Sequence, residues 1–304
     1  MMEREVIKTD NNTMEHLHEA QAVKKGLILE GGAMRGMFTC GVIDVLMENN
    51  ISFDGVAGIS AGAVFGCNFK SGQIGRALRY NKKYCNDPRY CSMHSFIKTG
   101  DIYGEDFCYR ELPYILDPFD RETFKNNPVD FYVGATDVKT GKCVYHKCND
   151  GGYTDIKWLQ ASASMPLVSK PVFVDGYLLL DGGISDSVPY KYMESLGYNR
   201  NLIILTQPEG YIKSRSPLFP LIKLMLRQHP AIAEAMAVRH EMYNRQIEEI
   251  EDREQKGISF VIRPPESLGI GRIENKPGEL ERVYRIGRTE AKKALPELKS
   301  FLSK

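Results

Sequence analysis

The sequence predicts an α/β protein built on a mainly parallel sheet, and three stretches predict it. Residues 26–30 (GLILE) form a compact apolar run ahead of glycines, the pattern of a buried strand. Residues 37–50 carry apolar side chains at Phe38, Val42, Val45 and Leu46, a spacing that lays one face of a helix on a sheet. The same order then repeats, with a strand over 53–60 (FDGVAGIS) and a helix over 61–72. Strand, helix, strand, helix within about fifty residues calls for parallel pairing, because the crossover helix returns the chain to the starting end of the sheet.

The rhythm breaks over 80–125. That stretch is rich in aromatics, including Tyr80, Tyr90, Tyr103, Phe107 and Tyr109, and offers no obvious strand. It reads as an insert or a lid. Regular patterning resumes with strands over 131–138 and 143–147, joined through Thr140-Gly141. A helix follows over 155–165 (DIKWLQASASM) and stops at Pro166. Residues 172–183 read as a hairpin about Asp175-Gly176, and 201–207 (NLIILTQ) as another buried strand. Beyond it the chain is mainly helical, over 216–227, 230–255 and 278–302, with one strand over 258–264.

Composition narrows the class. A chain of 304 residues, 42% hydrophobic and 26% charged, fits one large domain or a large one with a small appendage. A net charge of +1 supplies no field to hold nucleic acid, so no nucleic-acid partner is expected. No apolar run is long enough to cross a bilayer, and the first residues are too polar for a signal peptide. The expected setting is therefore soluble and cytoplasmic. Seven scattered cysteines fit free thiols in a reducing compartment. Cys143, His146 and Cys148 lie close together but lack C-x-x-C spacing, so they read as packing, and neither a metal nor a cofactor is expected.

The chemistry concentrates in three short motifs. GISAG (Gly58, Ile59, Ser60, Ala61, Gly62) follows the second strand, and G-x-S-x-G is what a sharp strand-to-helix elbow needs, because Cβ atoms at the flanking positions would collide. The loop GGAMRG (31–36) opens the first helix and presents unpaired N–H groups at the positive end of its dipole, which suits an anion. A dinucleotide site needs a glycine where Ala33 stands, and Asp54 begins the second strand instead of ending it. A phosphate-binding P-loop needs G-K-[ST], which is missing. An oxyanion hole gives both loops a purpose, since adjacent parallel strands deliver them to the same carboxyl edge of the sheet.

A serine nucleophile needs a base. His229 and His240 come late enough for a Ser–acid–His order, but both lie in helical stretches and too few strands precede Ser60. Asp181 in LLLDGG ends an apolar strand, and Gly182 and Gly183 leave room for close backbone approach. A carboxylate touching Ser60 takes its proton directly, provided its surroundings raise its basicity. The competing class is a non-enzymatic anion- or nucleotide-binding module built on the same glycine loop.

LILEGGAMRGMFTCGVIDVL, GISAG and DGG, in that order, resemble the patatin-like phospholipase family, especially bacterial members with a helical C-terminal extension. ASASMPLVSKPV is similar to the family's stretch ahead of its aspartate, and the likeness covers roughly residues 24–207. The resemblance implies a patatin-like three-layer α/β fold, with the mainly parallel sheet flanked by helices. It implies an acyl hydrolase that cleaves carboxylic ester bonds of lipids with a Ser60–Asp181 dyad. It also implies an oxyanion hole around Gly31, Gly32 and Ala33 supported by Arg35, framed by the motif glycines Gly36, Gly58, Gly62, Gly182 and Gly183. Alanine at position 33 departs from the family's third glycine, but it keeps the N–H. The expected organisation is a polar tail over 1–23, an acyl hydrolase domain over 24–210 with the insert at 80–125, and a mainly helical extension over 211–304.

Residues 216–228 (SPLFPLIKLMLRQ) set Ser216, Pro220, Lys223 and Arg227 on one stripe of a helix and apolar residues on the rest. Such a helix can lie in a bilayer interface. The expectation is the commoner arrangement, burial against the sheet with Lys223 and Arg227 reaching solvent. That leaves at most weak peripheral membrane contact for an enzyme of a lipid or acyl ester substrate.

Overall fold

The computed structural model describes residues 23–304; the expected polar tail lies outside the described residues apart from Val23. Eight strands form one mixed sheet: β1 (Lys25–Leu29), β2 (Gly55–Ile59), β3 (Asp130–Asp137), β4 (Cys143–Cys148), β5 (Val172–Val174), β6 (Tyr177–Asp181), β7 (Arg200–Ile204) and β8 (Ser259–Ile262). Their order is β5-β6-β3-β2-β1-β7-β8, with β4 also paired to β3. The five strands from β3 to β8 in that order are parallel, while β4, β5 and β6 pair antiparallel.

The helices are α1 (Gly36–Glu48), α2 (Ala61–Lys70), α3 (Arg76–Tyr84), α4 (Met93–Thr99), α5 (Arg121–Asn126), α6 (Tyr153–Ser162), α7 (Tyr190–Ser195), α8 (Phe219–Met225), α9 (Pro230–Gln255) and α10 (Pro277–Ser303). Successive strand side chains point to opposite faces. Leu27 and Leu29 of β1 enter a core shared with α1, α2 and α10, while Ile28 enters a second core with Tyr190 and Met193 of α7 and Ile250 of α9. Both faces are covered, which is why the strands read as continuous apolar runs and not as alternating ones.

Asp175 and Gly176 turn the β5–β6 hairpin with φ of 50° and 81°. Two positive φ values in succession match the right-handed twist of the strands they join.

One stretch left open by the sequence is filled in, and two expectations need correction. The insert over 80–125 is largely helical, containing most of α3, then α4, a π-helical segment Phe107–Leu116 and α5. Its aromatics pack into the main core: Tyr84 and Tyr90 lie edge-on against Phe107, with ring centroids 5.3 and 6.2 Å apart, in the same cluster as Leu27 and Leu29. The helix expected to run to Pro166 ends at Ser162, because the Ser164 carbonyl leaves the helix to accept the Asp181 N–H at 2.8 Å. The other correction concerns α8, which is not buried against the sheet. Phe219 and Leu226 are buried, but Leu218, Leu221, Leu224 and Met225 are all more than half exposed. No helix among the described residues is long and apolar enough to cross a membrane.

This division of α8 is measurable. Leu221→Glu places a carboxylate in solvent, so chemical denaturation should show a change within about 0.5 kcal/mol. Leu226→Ala opens a hole beneath α8, where Leu226 packs with Leu180, Ile184 and Ile232, and should cost about 2 kcal/mol or more.

Candidate active site

Ser60 stands between β2 and α2 with φ 53° and ψ −122°, a left-handed conformation unusual for a side-chain-bearing residue. Strain of this kind costs roughly 1–3 kcal/mol and persists only where its surroundings impose it. The first constraint is space: a Cβ at Gly62 would strike the Leu29 carbonyl, so the elbow lies directly on β1. The second is a hydrogen-bond relay. The Ser60 N–H donates to Ser162 Oγ at 2.8 Å, and that hydroxyl donates to the Gly134 carbonyl at 2.7 Å.

The Ser60 hydroxyl donates to Asp181 Oδ2 at 2.7 Å, and the Gly183 N–H donates to Asp181 Oδ1 at 2.8 Å. Asp181 is buried at the end of β6. Burial pushes its carboxyl above the ordinary aspartate range, against the opposing hydrogen bonds from Ser60 and Gly183 and the charges of Arg239 and Arg272. The result is a carboxylate of raised basicity in contact with a strained serine. Such a pair can pass a proton without an intervening imidazole.

The loop after β1 lies along the same edge. Gly32 has φ −169° and Ala33 φ 48°. Among the described residues, neither the Gly32 nor the Ala33 N–H meets a protein acceptor, whereas the Gly31 N–H, grouped with them from the sequence, turns to the Ser187 carbonyl at 3.4 Å. The Arg35 N–H closes a tight turn on the Gly32 carbonyl at 3.1 Å. Beside Ser60 opens a cavity of about 90 Å³ whose walls include Ala33, Met34, Tyr80, Tyr109, Leu112 and Met165. The insert thus supplies much of its lining.

The histidines weighed as partners lie elsewhere. His229 caps α9, His240 neighbours Glu241 at 3.7 Å, and neither hydrogen-bonds Ser60 or Asp181. The cysteine–histidine group on β4 splits because side chains alternate across a strand. His146 and Cys148 face Asp155, all within 4.8 Å, while Cys143 faces the other way. Asp155 Oδ1 meets His146 Nε2 at 2.8 Å, and Oδ2 accepts the N–H groups of Asn149, Asp150 and Gly151, so its acceptors are already engaged within the protein. His146 also stacks on Trp158 at 4.9 Å.

Sequence reasoning missed four contributors. Ser162 is the relay beneath Ser60; ASASM contained it without marking it. Glu30, buried at the end of β1, accepts from Tyr243 Oη at 3.0 Å and from the Thr206 N–H at 2.5 Å. A charged residue closing an apolar strand was the available signal. Arg239 on α9 donates through Nε to the Gly183 carbonyl. Nothing in the linear pattern of a long polar helix singled out Arg239 or Tyr243.

A profile of the patatin-like phospholipase family matches residues 27–193, more than half of the chain. The chain belongs to the patatin-like phospholipase family. In this patatin-like chain, residues 229–303 separately match a domain of unknown function (DUF6363). Lysophospholipase nte1 of Emericella nidulans is 26% identical over 291 residues, covering 90% of this chain and 18% of that protein. The chain therefore spans less than a fifth of the length of that relative. The uncharacterized protein YjjU of Escherichia coli (strain K12) is 28% identical over 298 residues, covering 90% and 77%. Among solved structures, VipD from Legionella pneumophila aligns at 12% identity with a TM-score of 0.46, over 90% of this chain and 67% of that one.

The Ser162 relay yields a stability prediction. Ser162→Ala leaves the Ser60 N–H and the Gly134 carbonyl without their shared partner in a fully buried position. Urea denaturation should register a loss of about 1–3 kcal/mol.

Proposed function

We propose that this patatin-like chain hydrolyses carboxylic ester bonds of lipids by a two-step acyl transfer, with Ser60 as nucleophile and Asp181 as general base. The observation that carries the reading is the 2.7 Å hydrogen bond from the strained Ser60 hydroxyl to a buried, basic Asp181. In the first step Ser60 Oγ attacks the ester carbonyl carbon as its proton passes to Asp181 Oδ2. The carbonyl electrons move onto oxygen, and that oxyanion is received by the Gly32 and Ala33 N–H groups, which have no other acceptor among the described residues. Collapse of the intermediate breaks the bond to the leaving oxygen, and Asp181 delivers its proton there. In the second step water gives a proton to Asp181 and attacks the acyl-Ser60 carbon. The Ser60–acyl bond breaks, Ser60 recovers its proton, and a carboxylic acid departs.

The apolar cavity beside Ser60 supports an acyl seat. Its volume is well below that of the roughly 150 Å³ engineered cavity that admits benzene, so a long acyl chain needs the insert over 80–125 to give way. That is the behaviour of a lid, and the exposed leucines of α8 support peripheral contact with a lipid surface. The seven free cysteines fit the reducing compartment expected from the sequence.

Hydrolysis of a panel of short and long acyl esters tests the reading. Ser60→Ala and Asp181→Asn should each abolish turnover and be no worse in combination, since groups acting as a unit are non-additive. His229→Ala and His240→Ala should retain most activity; a large loss from either revives a histidine triad. Gly32→Val, with the fold intact, should lower kcat about a hundred-fold. A fluorophosphonate should label Ser60, which a pure anion-binding module has no reason to permit.

The base must be ionised to act, so kcat/KM should fall as pH drops through the raised Asp181 pKa. The acid limb of the profile should therefore lie above the unperturbed aspartate value of about 3.9. An acid limb at or below that value contradicts the assignment.

A further inference from the structure

Four cations, Arg35, Lys213, Arg239 and Arg272, gather near Asp181, and none of them lines the apolar cavity. Arg239 bonds the Gly183 carbonyl, and its Nη2 lies 3.4 Å from where a Cβ on Gly183 would stand, two residues on from Asp181. One turn further along α9, Tyr243 reaches Glu30 at the root of the glycine loop. Lys213 Nζ sits 4.3 Å above the Tyr243 ring, and its backbone is clamped by Asn244 through bonds of 2.9 and 3.0 Å. Arg35 projects from the loop itself, and the exposed Arg272 follows β8.

None of these four forms an ion pair among the described residues, although most other arginines of the chain do. The carboxylates whose charge reaches Lys213 and Arg239 are Glu30 and Asp181, and both are already engaged by hydrogen bonds within the protein. Four cations thus stand against two carboxylates that are already engaged. Two buried polar atoms beside the loop have no partner, Arg35 Nε and Thr206 Oγ1. Thr206 Oγ1 lies 2.6 Å from where a Cβ on Gly32 would stand, next to the proposed oxyanion donors. Burial, followed by repulsion from Arg239, drives the Lys213 ammonium down to about 8, and burial also lowers Arg239. An uncompensated, partly desolvated positive cluster with orphan polar atoms is what an anionic ligand completes.

Resting on the esterase reading above, we propose that Arg35, Lys213, Arg239 and Arg272 form a subsite for a phosphate-bearing headgroup, and that it favours a phosphate monoester over a zwitterionic phosphodiester. The acyl chain then lies in the apolar cavity and the phosphate on the cation cluster, with the ester between them at Ser60. A phosphate monoester carries close to two negative charges at neutral pH, which suits a cluster of four cations. Among the described residues the two carboxylates whose charge reaches Lys213 and Arg239 are already engaged, which leaves a quaternary ammonium without a counter-charge from them, and the Tyr243 face is covered by Lys213. Guanidinium forks suit phosphate oxygens, which they bind in pairs.

The test compares kcat/KM for short-chain lysophosphatidic acid, lysophosphatidylcholine and monoacylglycerol bearing the same acyl group. The wild type should favour lysophosphatidic acid by about tenfold or more, the scale of one lost charged hydrogen bond. In Lys213→Met and Arg272→Gln that ratio should drop about tenfold, mainly through KM for the phosphate substrate, and Lys213→Arg should restore it. Labelling of Ser60 by a neutral fluorophosphonate reports an intact reacting centre in each variant. Equal rates on all three esters by a labelled, active wild type overturn the subsite and leave the esterase reading standing. No labelling and no hydrolysis overturn both. Inhibition of monoacylglycerol hydrolysis by inorganic phosphate, without any headgroup preference, assigns the cluster to a free anion and overturns the lipid assignment.

Discussion

The candidate site depends on two strands meeting end to end along one edge of β3. β2 runs parallel to β3 and stops with Ile59 opposite Gly134. β6 runs antiparallel to it and stops with Asp181 opposite Ala135. β4 occupies the other edge of β3 throughout, so β2 and β6 have to share the remaining one. Their carboxyl ends therefore abut at adjacent registers, and the residue after one meets the residue closing the other. Gly134 accommodates this junction: a Cβ there would strike the Ile59 side chain, and its carbonyl anchors the Ser162 relay beneath Ser60. A one-residue slip in either strand turns its terminal side chain to the opposite face and dissolves the contact.

That junction also sets the electrostatics. An aspartate at an exposed strand end is an ordinary acid, solvated and weakly basic. Closing β2, β3 and β6 around Asp181 removes its water and leaves hydrogen bonds from Ser60 and Gly183 in exchange. Desolvation outweighs those bonds, so the carboxyl holds its proton more tightly while remaining in contact with the hydroxyl. Strain at Ser60 and an uncomfortable charge at Asp181 are both destabilising taken singly. They persist because the two large cores on either face of the sheet supply far more than they cost.

The residues beyond 210 are more than an appendage to this arrangement. β8 extends the parallel sheet beside β7, α10 packs along α1, and α9 brings Arg239 and Tyr243 onto the loops at the carboxyl edge. The surroundings of Ser60 are consequently asymmetric. An apolar cavity walled in part by the insert opens beside it, and the cations Arg35, Lys213, Arg239 and Arg272, three of them from the last third of the chain, stand outside that cavity's lining. An amphiphile with a fatty tail and an anionic head has the same polarity, which is why the two halves of the proposal are mutually consistent.

The amino-acid sequence by itself determined the strand–helix alternation, the elbow at Ser60 and the turn at Asp175-Gly176. Those features arise from interactions among residues near in the chain: apolar periodicity, the collisions a Cβ would cause in a tight elbow, and the positive φ of a hairpin turn. Aspartate at position 181 was legible as a strand-closing acid before glycines and as the candidate base for Ser60, and the family likeness implied the same dyad. Only the tertiary structure decided that β6 lies on the same side of β3 as β2, because strand register depends on pairing between segments more than a hundred residues apart in sequence. It alone brought Ser162, Glu30, Arg239 and Lys213 to the site, and it exposed four apolar residues of a helix whose pattern suggested burial. Local sequence encodes which residues form an element and which face is apolar. Which neighbour that face meets, and how much water a charge retains there, follow from packing across the whole chain.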